Sequence, residues 1–129
     1  MELQIIPFRA RHVSVIAPNV SEEMMILAEC AERTGRGYTG CLLGDPVGCA
    51  GVAIQRAGMG ECWALFSPII KTMPLSLFRA VKKGLDEIIL ESRLTTLYAV
   101  VEPTDKSAAR FMEHLGFEMK KHLYYREVR

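Results

Sequence analysis

The apolar residues of this chain follow two rhythms, and the places where one gives way to the other mark its elements. Residues 3–8, L-Q-I-I-P-F, form a short apolar run at strand spacing. The R-A-R-H-V-S-V-I-A that follows predicts a short helix that must end before Pro18, because proline disfavours helix in its predecessor. Ser21 caps a second helix, S-E-E-M-M-I-L-A-E-C-A-E-R, with acids in its first turn and Arg33 at its end, as the helix dipole prefers. Gly35 and Gly37 stop it. Next, Y-T-G-C-L-L, G-C-A-G-V-A-I and E-C-W-A-L-F are strand-like runs joined by turns at G-D-P-V and R-A-G-M-G, the pattern of an antiparallel meander. Gly48 and Gly51 weaken the middle run on propensity, so they predict a bulge or a close backbone approach there.

After Ser67 and Pro68 the period changes from two to nearly four. Phe78, Val81, Leu85, Ile88 and Ile89 share one face of the longest helix, which begins near Pro74. Gly84 lies inside it at a cost of about 1 kcal/mol against alanine, which predicts tight packing on the sheet. Residues 95–101, T-T-L-Y-A-V-V, form a continuous β-branched and apolar run, the pattern of a central strand covered on both faces. Strand, crossover helix and strand then predict a right-handed unit in which residues 61–67 and 95–101 lie parallel. Residues 105–117, D-K-S-A-A-R-F-M-E-H-L-G-F, predict a short amphipathic helix. Phe111 and Leu115 share its buried face, His114 suits the carboxyl end of its dipole, and Gly116 closes it with a positive φ. Residues 119–128 read as a last strand. With no repeat, low-complexity tract or linker, residues 1–129 form a single domain.

Composition narrows the function classes. At 129 residues the chain can bury about two-thirds of its unfolded surface around one core. Sixteen basic residues nearly balance fifteen acidic ones, which argues against nucleic acid as a partner and requires any ligand to be recognised locally. No apolar run reaches the roughly 20 residues of a membrane span, and M-E-L-Q-I-I-P lacks the basic start and long apolar core of a signal peptide. A cytoplasmic protein with no membrane partner is the expectation. Cys30, Cys41, Cys49 and Cys62 stand at long unequal gaps, without a C-x-x-C pair or a histidine at ligand spacing. They read as reduced core residues rather than a metal site. His12 and His122 are isolated and read as surface residues. Trp63 reads as a core or cleft-wall anchor, since its ring buries a large area while its N–H needs one partner.

Ala108, Phe111, Leu115, Gly116 and Phe117 stand at the spacing of an acyl-CoA motif, and the segment resembles that of the N-acetyltransferase (GNAT) superfamily. The order of elements is similar to that superfamily's over nearly the whole chain. The resemblance implies an α/β (α+β) fold, a mixed sheet of about six strands with a central parallel pair, flanked by four helices. Acetyl-CoA is the cofactor the resemblance implies for an active member, and none is required otherwise. Two positions depart from the motif: its Asn is Asp105, and the Tyr that often protonates the leaving thiolate is Met112, which cannot donate a proton. The family's turn before the long helix carries glycines whose backbone amides hold the pyrophosphate at a helix amino terminus. Here that turn is S-P-I-I-K-T-M-P, without glycine, and Pro68 and Pro74 each remove an amide donor.

By the same resemblance, the cofactor-binding candidates are Ser67, Lys71, Thr72, Asp105, Ala108 and Phe111, and the catalytic candidates are Glu61 and Tyr124. Glu61 stands at the start of the fourth strand, where relatives often place a carboxylate base, and Tyr124 or Tyr125 would replace the missing acid. A solvated loop lysine, a capping threonine, a strand-end glutamate and β-forming tyrosines are the plain alternatives. Residues 60–65, G-E-C-W-A-L, and their spacing to L-G-F are closer still to small GNAT-like proteins of short-tailed bacteriophages related to an internal virion protein. That resemblance implies a phage or prophage protein degenerate in catalysis, a binding or virion-associated component in host cytoplasm or particle. Its partners would be phage virion proteins or a small-molecule ligand, and acetyl-CoA would then raise its thermal stability little. The alternative is an acetyl-CoA-dependent N-acyltransferase acting on a small amine or a protein amine.

Overall fold

The computed structural model describes residues 3–69, 74–100, 106–120 and 123–127. The chain runs β1 (Gln4–Pro7), α1 (Arg11–Ile16), α2 (Glu22–Thr34), β2 (Arg36–Leu42), β3 (Asp45–Arg56), β4 (Met59–Phe66), α3 (Pro74–Ser92), β5 (Thr96–Val100), α4 (Lys106–His114), β6 (Glu118–Lys120) and β7 (Leu123–Glu127). The strands form one sheet of seven in the order β1-β2-β3-β4-β5-β7-β6. β4 and β5 are parallel, as their crossover through α3 requires, and the other neighbours are antiparallel. The strand expected over residues 119–128 divides into β6 and β7, which pair with each other and bring the count from about six to seven.

The two-residue period of the strands sends alternate side chains into two cores. Cys49, Ala53 and Trp63 point to one side and pack with Phe8, Val13, Ile16, Ala28 and Ala31 beneath α1 and α2. Val52, Cys62, Leu97 and Ala99 point to the other side and meet Leu85 and Ile88 of α3 and Met112, Leu115 and Phe117 around α4. Ser21 caps α2 as its sequence predicts, its Oγ accepting the Met24 N–H at 3.2 Å. Gly116 has φ +96°, and the bonds Gly116 N–H to Glu113 C=O (3.0 Å) and Phe117 N–H to Met112 C=O (3.0 Å) close α4 in a Schellman motif. Gly84 allows the close approach expected of it: a Cβ there would stand 2.9 Å from Cδ2 of Tyr38 on β2. At Gly51 a side chain would run into the β2 backbone at Arg36 and Gly37, so the close-approach reading holds there, while the bulge falls at Gly40/Cys41, opposite Gly48 and Pro46.

Three expectations are corrected. Among the described residues β5 is covered on one face: Leu97 and Ala99 are buried, but Thr96 and Tyr98 are half-buried. α1 and α2 pack chiefly on β2, β3 and β4. The hairpin between β2 and β3 turns at Leu43-Gly44, both with positive φ (51° and 86°), while Asp45 and Pro46 of the expected turn pair with Leu42 and Cys41. His12 is 7% exposed rather than on the surface. Its Nδ1 accepts the Arg9 N–H at 3.1 Å and lies 2.8 Å from Thr39 Oγ1, so that nitrogen is unprotonated and the Thr39 hydroxyl donates to it. Burial, then Arg11 and Arg9, holds the His12 pKa below the ordinary 6.5. Among the described residues no helix is long and apolar enough to cross a membrane.

Candidate functional site

Among the described residues β4 and β5 are paired from Met59↔Thr96 to Cys62↔Ala99, and β4 runs on to Phe66. Residues 63–66 lie toward the carboxyl ends of the two parallel strands, where open α/β sheets place their ligands. α3 and α4 flank this end of the pair. Phe66 of β4 and Phe111 of α4 meet edge to face with centroids 6.2 Å apart, and Phe78 of α3 stacks on Phe111 at 5.9 Å in the same manner. Under α3 lies an apolar cavity of about 70 Å³, lined by Gly48, Ala64, Phe66, Val81, Phe111 and Met112 among others. That is roughly half the size of an engineered ~150 Å³ cavity that holds benzene, so it suits an apolar group of a few atoms.

Glu61 works on the other side of the sheet. Its neighbour Cys62 enters the α3 core while Trp63 and Leu65 enter the α1/α2 core, so alternation places Glu61 on the α1/α2 side. Its Oε1 accepts two hydrogen bonds, from Tyr98 Oη at 3.0 Å and from Gln55 Nε2 at 3.1 Å. Tyr98 stands directly opposite Glu61 in the parallel ladder, and the carboxylate is half-buried. Tyr98 was not among the sequence-derived candidates. Its signal was the alternation inside 95–101, where the one tyrosine falls out of phase with buried Leu97 and Ala99.

The remaining candidates disperse. Ser67 lies at the far end of β4 from Glu61, and its backbone N–H is committed to Val47 C=O at 2.8 Å rather than free for a phosphate. Phe111 lines the cavity. Lys71, Thr72, Asp105 and His122 lie outside the described residues; the backbones of Ala108 and Tyr124 are described but their side chains are not. In the ladder Tyr124 is paired with Ala99 and Tyr125 with Tyr98, so Tyr125 holds the register position that continues the Glu61 rung. Met112, at the acid position of the motif, is buried in the α3/α4 core with Leu97 and Ala99 and has no proton to give. Burial pushes the thiols of Cys49 and Cys62 up to about 12, so neither is a nucleophile at neutral pH. Trp63 packs on Phe8 with ring centroids 4.6 Å apart, but its buried Nε1–H meets no partner among the described residues. Among the described residues no three His, Cys, Asp or Glu side chains gather as metal ligands.

No family model and no curated protein matches the chain. Solved structures do. An acetyltransferase from Streptococcus agalactiae 2603 superposes with a TM-score of 0.79 at 12% identity, covering 98% of each chain. A GNAT-family acetyltransferase from Staphylococcus aureus Mu50 gives 0.74 at 16% identity, covering 99% of this chain and 100% of that one. A GNAT-family acetyltransferase from Elizabethkingia anophelis, with acetyl-CoA bound, gives 0.71 at 11% identity over 98% of each. At such identities the likeness is one of fold: this chain has the GNAT architecture from end to end.

Proposed function

We propose that this chain is an acyl-CoA-dependent N-acyltransferase whose acceptor is an amine, free or on a protein. The observation that carries the reading is the Glu61 carboxylate on β4, half-buried beside its parallel neighbour β5 and held by hydrogen bonds from Tyr98 and Gln55. Phe66 and Phe111 close the apolar side. An acyl thioester supplies the activated acyl group. Glu61 removes the proton that the amine loses as its nitrogen bonds to the acyl carbon and the carbon–sulfur bond breaks. The departing thiolate takes its proton from solvent, since Met112 is aprotic and buried. The bound acetyl-CoA in the similar fold from Elizabethkingia anophelis supports the same class of cofactor here.

A second reading, a catalytically degenerate binding or virion component of phage type, is favoured by Met112, whose burial leaves the motif without its acid. A melting titration with acetyl-CoA separates the two. A ligand at a hundred times its Kd stabilises the folded state by about 2.7 kcal/mol. With an unfolding entropy of about 2.1 cal/mol/K per residue over 129 residues, the midpoint rises by roughly 10 °C. The expected result is a saturable rise below millimolar acetyl-CoA, with acyl transfer to added amines seen by mass spectrometry. A flat titration to about 1 mM, which covers Kd values to about 10 μM, removes the acyltransferase reading and leaves the binding role.

A further inference from the structure

The two carboxylate oxygens of Glu61 are in different circumstances. Oε1 is held by two donors, the Tyr98 hydroxyl from β5 and the Gln55 amide from β3, while Oε2 has no protein partner among the described residues. The donors come from the strands on either side of β4, so the carboxylate is braced from both directions across the sheet. Gln55 stands at the register shift between Ile54 and Arg56, in phase with Ala53 and so on the side of the sheet where Glu61 lies. Two hydrogen bonds to one carboxylate oxygen fix the plane of the group, which otherwise turns freely about its last torsion.

We infer that Tyr98 and Gln55 are positioning residues for Glu61, which clamp Oε1 so that Oε2 alone meets the incoming amine. This rests on the acyltransferase reading, with Glu61 as its base. The clamp explains why a half-exposed glutamate, usually mobile, is held at one spot beside β5. It also defines what the acceptor must bring: one N–H directed at a single oxygen, which suits a primary amine approaching from the α1/α2 side.

The experiment uses the full chain with acetyl-CoA and a panel of small primary amines. Tyr98→Phe, which keeps the ring and removes the donor, is expected to lower kcat about tenfold and leave KM for acetyl-CoA unchanged, because a hydrogen bond to a charged group near solvent sits at the low end of its range. In a Glu61→Gln background the same change is expected to cost nothing further, since the clamp acts only through the carboxylate. Gln55→Leu follows the same pattern. Equal losses in both backgrounds show a merely structural role and overturn the inference. If the wild-type chain acylates no amine, the acyltransferase reading fails by that result, and the clamp is read by carbon NMR of labelled glutamate. There the Glu61 carboxyl signal, identified by its loss in Glu61→Gln, is expected to move in Tyr98→Phe at constant neutral pH, because a hydrogen-bond donor to the carboxylate has been removed. Coincident signals in wild type and Tyr98→Phe refute the clamp whatever the enzyme does.

Discussion

Replacing Gly84 with alanine sets two effects of known size against each other. In a helix interior the change favours the folded state by about 1 kcal/mol, because glycine loses more backbone freedom on folding. At this position the new Cβ would stand 2.9 Å from Cδ2 and 3.3 Å from Cε2 of Tyr38. The ring has little room to retreat: its hydroxyl donates to Glu87 Oε2 at 3.0 Å, three residues further along the same helix, and its face packs on the α3 core. Overpacking of this kind costs about 1–3 kcal/mol, so the steric cost wins and Gly84→Ala is expected to destabilise by about 1 kcal/mol. For 129 residues that lowers the melting midpoint by roughly 4 °C. The decisive comparison is the same change in a Tyr38→Ala background, where the overlap is gone and alanine should stabilise by about 1 kcal/mol. Urea and thermal melts of the four proteins give the cycle directly. A higher midpoint for Gly84→Ala in the wild-type background, or the same sign in both, would refute the claim that α3 sits on β2 through this contact.

Leu43, 86% exposed at φ +51° in the β2–β3 turn, is expected to yield about 0.5–1 kcal/mol of added stability when changed to Asn, which tolerates the left-handed region and precedes Gly44 as two-residue hairpins prefer; an unchanged urea midpoint counts against it. His12 is buried between α1 and Thr39 with Arg9, Arg11 and Glu32 around it, and its folded-state pKa lies below the ordinary 6.5. The unfolded chain therefore binds more protons as pH falls through about 6.5, so stability drops there, and His12→Gln should flatten that part of the profile in urea melts at about pH 7.5 and pH 5.5. Of the four cysteines, Cys30 on α2 is partly exposed while Cys41, Cys49 and Cys62 are buried, so iodoacetamide on the native chain should label Cys30 first; early labelling of Cys62 would contradict its place in the core.

Much of the architecture was legible along the chain, because the devices that specify it act over a few residues. Ser21 and Gly116 mark helix ends through bonds spanning three to five positions, Pro18 by its steric effect on the residue before it, and the acids after Ser21 through the helix dipole. The change of period after Ser67 and the apolar run of 95–101 were enough to predict the parallel pair, since a crossover helix between strands leaves little choice of direction. Other features depend on what distant segments bring to one place. Thr39 makes His12 an interior residue from 27 positions away, and no local pattern marks a histidine for burial. Met112 and Phe111 are neighbours on one helix and both line the cavity, but only the seating of α4 against Leu97 and Ala99 buries the first and leaves the second partly exposed. Tyr98 and Glu61 are 37 residues apart, and they meet because α3 delivers β5 in the one register that sets them opposite each other. Because side chains alternate along a strand, a shift of one residue would have turned Tyr98 into the core and left the carboxylate to Gln55 alone. Propensity and periodicity therefore determined the elements, while register, which only the packed sheet decides, determined the site.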